Sequence, residues 1–318
     1  MVNARLASST RAIPTLLLKS IAPNTVKRYA YGFRTWNNWR RKHPEISCLP
    51  VNHMHLATYI AATIQGNGPF GRVESVVLGL SWLHRALGLP NPAESPTVLL
   101  LKEAVKRILS RAVRKKEPLD PKDLKALAQR LRYGSLIDLR TITVAVLSYA
   151  GFLRFDEVST LRREHISFGA SHVRLFIDKS KSDQHKIGDN VFIAKIGSYA
   201  CPVGILSSYL KRSKVTSGCV FRPLQKTKNG HAVRNIDKPV SYTTLRHDIL
   251  NALSELGLDK SKFGLHSMRR GGATRAANMG VNDRLFKKHG RWKSDGAKDG
   301  YVAESLESLL SVSRNLGL

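Results

Sequence analysis

Acidic side chains are scarce in this sequence: 23 aspartates and glutamates stand against 52 lysines and arginines in 318 residues, a formal net charge of +29. No folded domain needs such an excess for its own stability, and a polyanionic partner is its simplest explanation. The scarcity also removes the clustered carboxylates of a two-metal nuclease, Asp156 and Glu157 being the nearest thing to a pair. Cysteine is almost missing. Cys48, Cys201 and Cys219 are odd in number and lack CxxC or Cys/His ligand spacing, which argues against a disulfide framework and points to reduced buried thiols in an intracellular protein. No apolar run approaches ~18 residues and no segment gathers its basic residues on one amphipathic face, so nucleic acid is favoured over a membrane surface. A GxxxxGK[ST] phosphate loop, HExxH and GxSxG are also missing, so no nucleotide cofactor is expected. If the protein cuts nucleic acid, it is expected to do so with no metal and no other cofactor.

What is present divides the chain in two. The N-terminal stretch is basic, rich in small residues, free of acids and broken by Pro14. A transit peptide is open there, but residues 1–22 read as a loosely ordered arm. From Asn24, NTVKRYAYGFRTWNNWRR sets Val26, Tyr29, Phe33 and Trp36 at helical spacing with a basic flank, and HLATYIAATI, RVESVVLGLSWLHRAL and VLLLKEAVKRILSRAV continue the pattern. Residues 23–113 therefore predict a bundle of about four helices. Residues 114–120 read as a linker, and Asp120 before Pro121 predicts an N-cap and first helical position. Residues 121–318 read as a mixed domain: two helices around Gly151, two strands in VRLFIDKSKSDQHKIGDNVFIA with a polar turn, and helices to the end. The expected class is mainly α, a helical domain joined to a mixed α/β domain with a small antiparallel sheet.

Phosphoryl transfer without metal needs a nucleophile, donors for the charge on the non-bridging oxygens and an acid for the leaving oxygen. Arginine suits the donor role because its planar fork holds two oxygens at once and keeps its charge. In LHSMRRGGATRAA, His266 and Arg269 stand three apart, so on a helix they share a face. In GFLRFDEVSTL, Arg154 opens a helix after a glycine turn, with Glu157 one turn on to orient its guanidinium. The hairpin IDKSKSDQ presents Lys179 and Lys181, with Lys186 nearby. In GRWKSDGAKDGY, Tyr301 follows Trp292 by nine positions. A phenol of pKa about 10 needs a base or a strongly cationic pocket to attack phosphorus.

Together, NTVKRYAYGFRTW, GFLRFDEVSTL, the lysine hairpin, HSMRRGGATRAANMG and GRWKSDGAKDGY resemble the tyrosine recombinase (integrase) family, over nearly the whole chain and in that family's order. The resemblance implies a SAM-like core-binding domain followed by a catalytic domain. It also implies cleavage and rejoining of double-stranded DNA through a 3′-phosphotyrosyl intermediate, without ATP. By resemblance Tyr301 is the nucleophile, and Arg154 and Arg269 brace the pentavalent phosphorane. Lys181 protonates the leaving 5′-oxygen, with Lys179 and Lys186 as substitutes, and His266 is the acid/base. Trp292 stands where most relatives carry histidine; it donates a hydrogen bond but cannot titrate. His289 lies too far from Tyr301 in sequence to replace that histidine.

Lys27, Arg28 and Arg34 in the first domain, and Lys179, Arg270 and Lys293 in the second, are expected on DNA phosphates, with Arg275, Lys287, Lys288 and Arg291 as further phosphate contacts. Relatives act as homotetramers on two DNA sites, with a C-terminal helix docked on a neighbour. Leu306, Leu309, Leu310 and Val312 are available for that face, or for packing within the protomer. Two other functions stay open: a type IB topoisomerase-like nicking and relaxing enzyme, and a domesticated DNA-binding protein that no longer cuts. The expected location is the nucleus of a eukaryotic host or the cytoplasm and nucleoid of a bacterial one.

Overall fold

The structure is a computed structural model that describes residues 4–109, 115–178, 188–304 and 306–316. The chain folds as two compact units, Met1–Arg114 and Lys115–Leu318.

The first unit opens with α1 (Ala4–Lys19), a helix where the sequence suggested a loosely ordered arm. Good helix formers flank Ile13-Pro14-Thr15, alanine, arginine and leucine before it and leucine and lysine after it, and the Thr10 hydroxyl donates to the Leu6 carbonyl inside the helix. Then come α2 (Pro23–Arg40), α3 (His53–Gln65), α4 (Phe70–Ala86) and α5 (Pro96–Leu109). Trp36, Leu56, Ile60, Val76, Leu80 and Val98 form the core, each fully buried apolar side chain contributing roughly 1.5–3 kcal/mol. His84 is buried among them and joins α4 to the stretch just before α3, its Nε2 accepting from Val51 N–H at 2.9 Å.

The second unit begins at α6 (Pro121–Leu131), where Asp120 accepts from Lys122 N–H as the N-cap and Pro121 opens the helix. Next come α7 (Leu136–Ala150), started by a Ser135/Asp138 capping box, and α8 (Phe155–Ser159). Strands β1 (Ile166–Phe168), β2 (His172–Ile177) and β3 (Asp189–Ala194) form an antiparallel sheet in that order, with Val173 opposite Ile193 and Leu175 opposite Val191. Helix α9 (Pro202–Ser213) follows, and then a hairpin of β4 (Leu224–Thr227) and β5 (Gly230–Val233) that the sequence did not announce. Only the first residue of β4 is even half-buried, which leaves the alternation too weak to read. The chain ends with α10 (Tyr242–Ser254), α11 (His266–Asn278), α12 (Asp283–Gly290), α13 (Asp295–Asp299) and α14 (Leu306–Arg314).

α7 is the axis of this unit. Eleven of its fifteen residues, Leu136 and Leu139 through Ser148, are buried, and the core gathers Leu139, Ile142 and Leu147 with Val173, Leu206, Tyr209, Phe221 and Leu253. α11 packs against α7 because of the glycine pair in RRGG: a Cβ on Gly272 would stand 2.1 Å from the Tyr149 carbonyl, and one on Gly271 2.2 Å from the Leu119 carbonyl. The same close approach carries Arg269, two residues earlier on α11, into the interior next to the turn between α7 and α8. Among the described residues no helix is long and apolar enough to cross a membrane.

Candidate active site

The turn after α7 supplies the base of the site. Phe152 adopts a left-handed conformation (φ 47°), and its carbonyl accepts from both Arg269 and Arg291, the latter at 3.1 Å. Such a conformation costs a residue with a Cβ roughly 1–2 kcal/mol and marks a backbone held in place by its surroundings. Arg154 follows as the N-cap of α8. The Glu157 carboxylate folds back on it: Oε2 accepts from the Arg154 backbone N–H at 2.9 Å and Oε1 from its Nη1 at 2.7 Å.

Glu157, 2% exposed, is shared further. Arg291 Nη2 donates to its Oε2 at 2.7 Å, and Arg269 Nη1 lies 3.7 Å from the same oxygen. Burial would raise the Glu157 pKa, but Arg291, the Arg154 backbone N–H and the other two guanidiniums outweigh it, so the net shift is downward and the carboxylate stays charged. Arg269 is fully buried; its Nη2 donates to the Gly290 carbonyl at 2.9 Å. Burial, followed by the neighbouring Arg154, pushes its pKa down. For Arg154, burial alone would lower the pKa; Glu157, then the Tyr301 hydroxyl, turn the net shift upward. Three guanidiniums thus stand around one carboxylate in a largely buried pocket, an arrangement that favours a further anion.

Trp292 and Tyr301 form the apolar wall. Trp292, 5% exposed, packs with Phe152 and Phe286, and its indole Nε1 has no hydrogen-bond partner among the described residues. The two rings lie 5.6 Å apart, and the Arg269 guanidinium stands 5.2 Å from the Trp292 ring and 4.6 Å from that of Tyr301. A Cβ on Gly290 would stand 2.1 Å from the indole, so the glycine of HGRW makes room for the tryptophan. Tyr301 itself follows α13 and is tied to α11 by Thr274, whose hydroxyl accepts from Ala303 N–H at 3.0 Å and donates to the Tyr301 carbonyl at 3.4 Å. Lys298 anchors the same stretch by bonding Asp283 on α12.

Arg154, Arg269, Trp292 and Tyr301 therefore meet in one pocket. His266 is the first residue of α11, exposed, on the helix that carries Arg269. Lys179, Lys181 and Lys186 lie outside the described residues, between β2 and β3. Of the expected phosphate contacts, Lys27, Arg34 and Lys293 are exposed, whereas Arg28 is bound to Glu74 at 2.6 Å and Arg270 donates to the Lys116 carbonyl at 2.8 Å. Arg291 corrects the sequence reading: it is 8% exposed and bound to Glu157, because its left-handed backbone (φ 55°) turns the side chain inward. His289 points elsewhere, its Nε2 donating to the Ala150 carbonyl at 2.8 Å, and burial lowers its pKa, so it stays neutral. Sequence reasoning missed Thr274 and Phe152, which carry no chemical signature of their own.

Comparison with known proteins identifies the family. The model of the phage integrase family matches residues 117–307. An integrase/recombinase xerD homolog of Selenomonas ruminantium is 27% identical over 309 residues, covering 95% of this chain and 89% of its own. Among solved structures, the XerH site-specific recombinase bound to its palindromic difH substrate, a post-cleavage complex, superposes with a TM-score of 0.62 at 13% identity over 91% of this chain and 79% of that one. A lambda integrase (75-356) dimer bound to a COC′ core site gives 0.55 at 16% identity over 92% and 93%. At these identities the solved structures speak to the fold. The family match spans more than half of the chain, and the chain belongs to the phage integrase family, the site-specific tyrosine recombinases that break and rejoin DNA.

Proposed function

We propose that Tyr301 is the nucleophile of this recombinase and that the second unit is its catalytic domain. The Tyr301 oxygen attacks a DNA phosphodiester, the bond from phosphorus to the 5′-oxygen breaks, and the DNA is left with a 3′-phosphotyrosyl link and a free 5′-hydroxyl. The phenol gives up its proton and the 5′-oxygen gains one, so the bond energy is kept for rejoining without ATP. The observation that carries this reading is the set of three guanidiniums around one carboxylate beside the Tyr301 ring. Arg154 and Arg269 oppose the charge that builds on the non-bridging oxygens in the phosphorane, a contact that lowers the barrier because it strengthens in the transition state. The Trp292 indole N–H donates to the same phosphate, His266 handles the proton near Tyr301, and Lys181 protonates the 5′-oxygen.

The first unit serves as the core-binding domain, with Lys27 and Arg34 exposed for backbone phosphates as Lys293 is on the second unit; Arg28, Arg270 and Lys179 are the remaining candidates. Four copies act on two DNA sites. Leu309 and Leu310 are exposed on α14, and the second unit carries an apolar groove exposing Phe192, Ile196, Met279, Val281 and Leu285, which suits an α14 from a neighbouring copy. The protein acts where its DNA lies, in the nucleus of a eukaryotic cell or the nucleoid of a bacterial one.

The test uses a library of nicked duplexes with randomised cores, incubated with the full chain and with Tyr301→Phe, then denatured. Nicked DNA loses the 5′-fragment after cleavage and traps the covalent species. Adducts with the wild type only, recovered and sequenced, support the proposal and supply the site. Equal adducts with Tyr301→Phe, or none from a wild type that binds the library, overturn it. Relaxation of supercoiled plasmid without strand exchange would move the function to the topoisomerase class.

A further inference from the structure

Arg291 is placed at a cost that a simpler residue would avoid. It closes α12 in the left-handed region, where glycine is at ease and a residue with a Cβ loses roughly 1–2 kcal/mol. Its guanidinium meets the His289 carbonyl at 3.0 Å and the Gly151 carbonyl at 3.3 Å through Nη1, and the Phe152 carbonyl at 3.1 Å and Glu157 Oε2 at 2.7 Å through Nη2. Three of these acceptors, on Gly151, Phe152 and Glu157, flank Arg154. Gly151 and Phe152 form the turn that delivers Arg154 to the site, and Glu157 holds both its backbone N–H and its guanidinium. Only a planar fork reaches such a set; a lysine would supply the charge from a single point.

We propose that Arg291 is a positioning residue for Arg154: it locks the turn before Arg154 and the carboxylate that grips it, and so sets where that guanidinium meets the scissile phosphate. Arg291 stays beneath the site and does not touch DNA. The proposal rests on Arg154 opposing charge on the non-bridging oxygens, as above.

The experiment measures single-turnover adduct formation by the full chain on the nicked duplex recovered from the library. One substrate has an ordinary scissile phosphate and the other a methylphosphonate, in which a neutral methyl replaces one charged oxygen. Removing Arg154 should slow the ordinary substrate by ~10²- to 10³-fold and the methylphosphonate far less, because the charge that Arg154 opposes is gone. Arg291→Gly, which keeps the backbone at ease, is expected to slow the ordinary substrate by ~10- to 100-fold, the range for residues that orient a site residue. It should slow the methylphosphonate less and leave DNA affinity unchanged. Arg154→Ala combined with Arg291→Gly should be no slower than Arg154→Ala alone, since the two act as one unit.

A wild-type rate in Arg291→Gly, an equal loss on both substrates, or a double variant whose losses add would each overturn the proposal. If Arg291→Gly does not fold, Arg291→Lys carries the same three measurements, with partial rescue expected. In each case the wild type still forms its Tyr301 adduct and the proposed function stands. A wild type that forms no adduct sinks both.

Discussion

Glu157→Gln removes the one negative charge among Arg154, Arg269 and Arg291 while keeping the shape of the side chain. The carboxylate now accepts from Arg154 Nη1 at 2.7 Å, from Arg154 N–H at 2.9 Å and from Arg291 Nη2 at 2.7 Å. An amide keeps one acceptor oxygen and turns the other atom into a donor facing a donor. Breaking a buried ion pair from one side costs about 3–5 kcal/mol, and the retained oxygen sets the expectation near 3. At about 1.4 kcal/mol per decade, amides of α8 and of the facing end of α11 should exchange with solvent ~10²-fold faster in the variant at pH 7. The effect has a pH signature. Burial raises the Glu157 pKa, but the guanidiniums and the Arg154 N–H bring the folded value below the unfolded one, about 4.3. The carboxylate's contribution is therefore complete above that unfolded value and is lost as pH falls through the folded one. The wild type's advantage over the variant should hold at pH 6–7 and shrink below about pH 4. Hydrogen exchange followed by mass spectrometry, as a ratio of variant to wild type at each pH, measures both. A ratio near one at pH 7, or one that does not fall with acid, refutes the shared-carboxylate argument.

Other substitutions probe separate parts of the site. Thr274→Val keeps the shape but removes both hydrogen bonds from α11 to the Tyr301 segment, so adduct formation should fall ~10-fold while DNA binding holds; an unchanged rate would mean that the segment is placed by other contacts, such as Lys298 with Asp283. Trp292→Phe preserves an aromatic wall but deletes the indole N–H, which has no partner among the described residues, and should slow adduct formation ~10²-fold at constant DNA affinity. Equal rates would assign Trp292 to packing alone. Leu309→Lys with Leu310→Lys charges the exposed face of α14; sedimentation on two-site DNA should show that the proposed four-copy assembly, formed by the wild type, is lost while single-copy binding is retained, and an assembly unchanged by the substitutions would point elsewhere.

The chemistry was legible where it follows local sequence. Asp120 before Pro121 gave a helix start, Arg154 after Gly151 gave an N-cap arginine with a carboxylate one turn on, and the spacing of His266 and Arg269 put both on α11. Burial was harder to read. Arg291 stands in a run of basic residues, where charge suggests solvent or phosphate, and nothing local reveals that a left-handed backbone turns it toward Glu157. The turn carbonyls that receive Arg269 and Arg291 come from Gly151 and Phe152, more than 100 positions away, beyond the reach of any periodic pattern. Thr274 was invisible because a helix-surface threonine takes on a role only once the chain after α13 returns to it. The hairpin of β4 and β5 escaped because its exposed strands need no alternation.

The central claim is that Tyr301 forms the covalent link to DNA, and the direct measurement is to locate that link. Adduct formed on the recovered nicked duplex is digested with nuclease and protease, and the peptide carrying a nucleotide is sequenced by mass spectrometry. The account predicts a phosphotyrosyl nucleotide on Tyr301. Nucleotide on another residue would contradict it. Tyr149 is a useful internal control, because burial pushes its phenol up to about 12 and it should carry none.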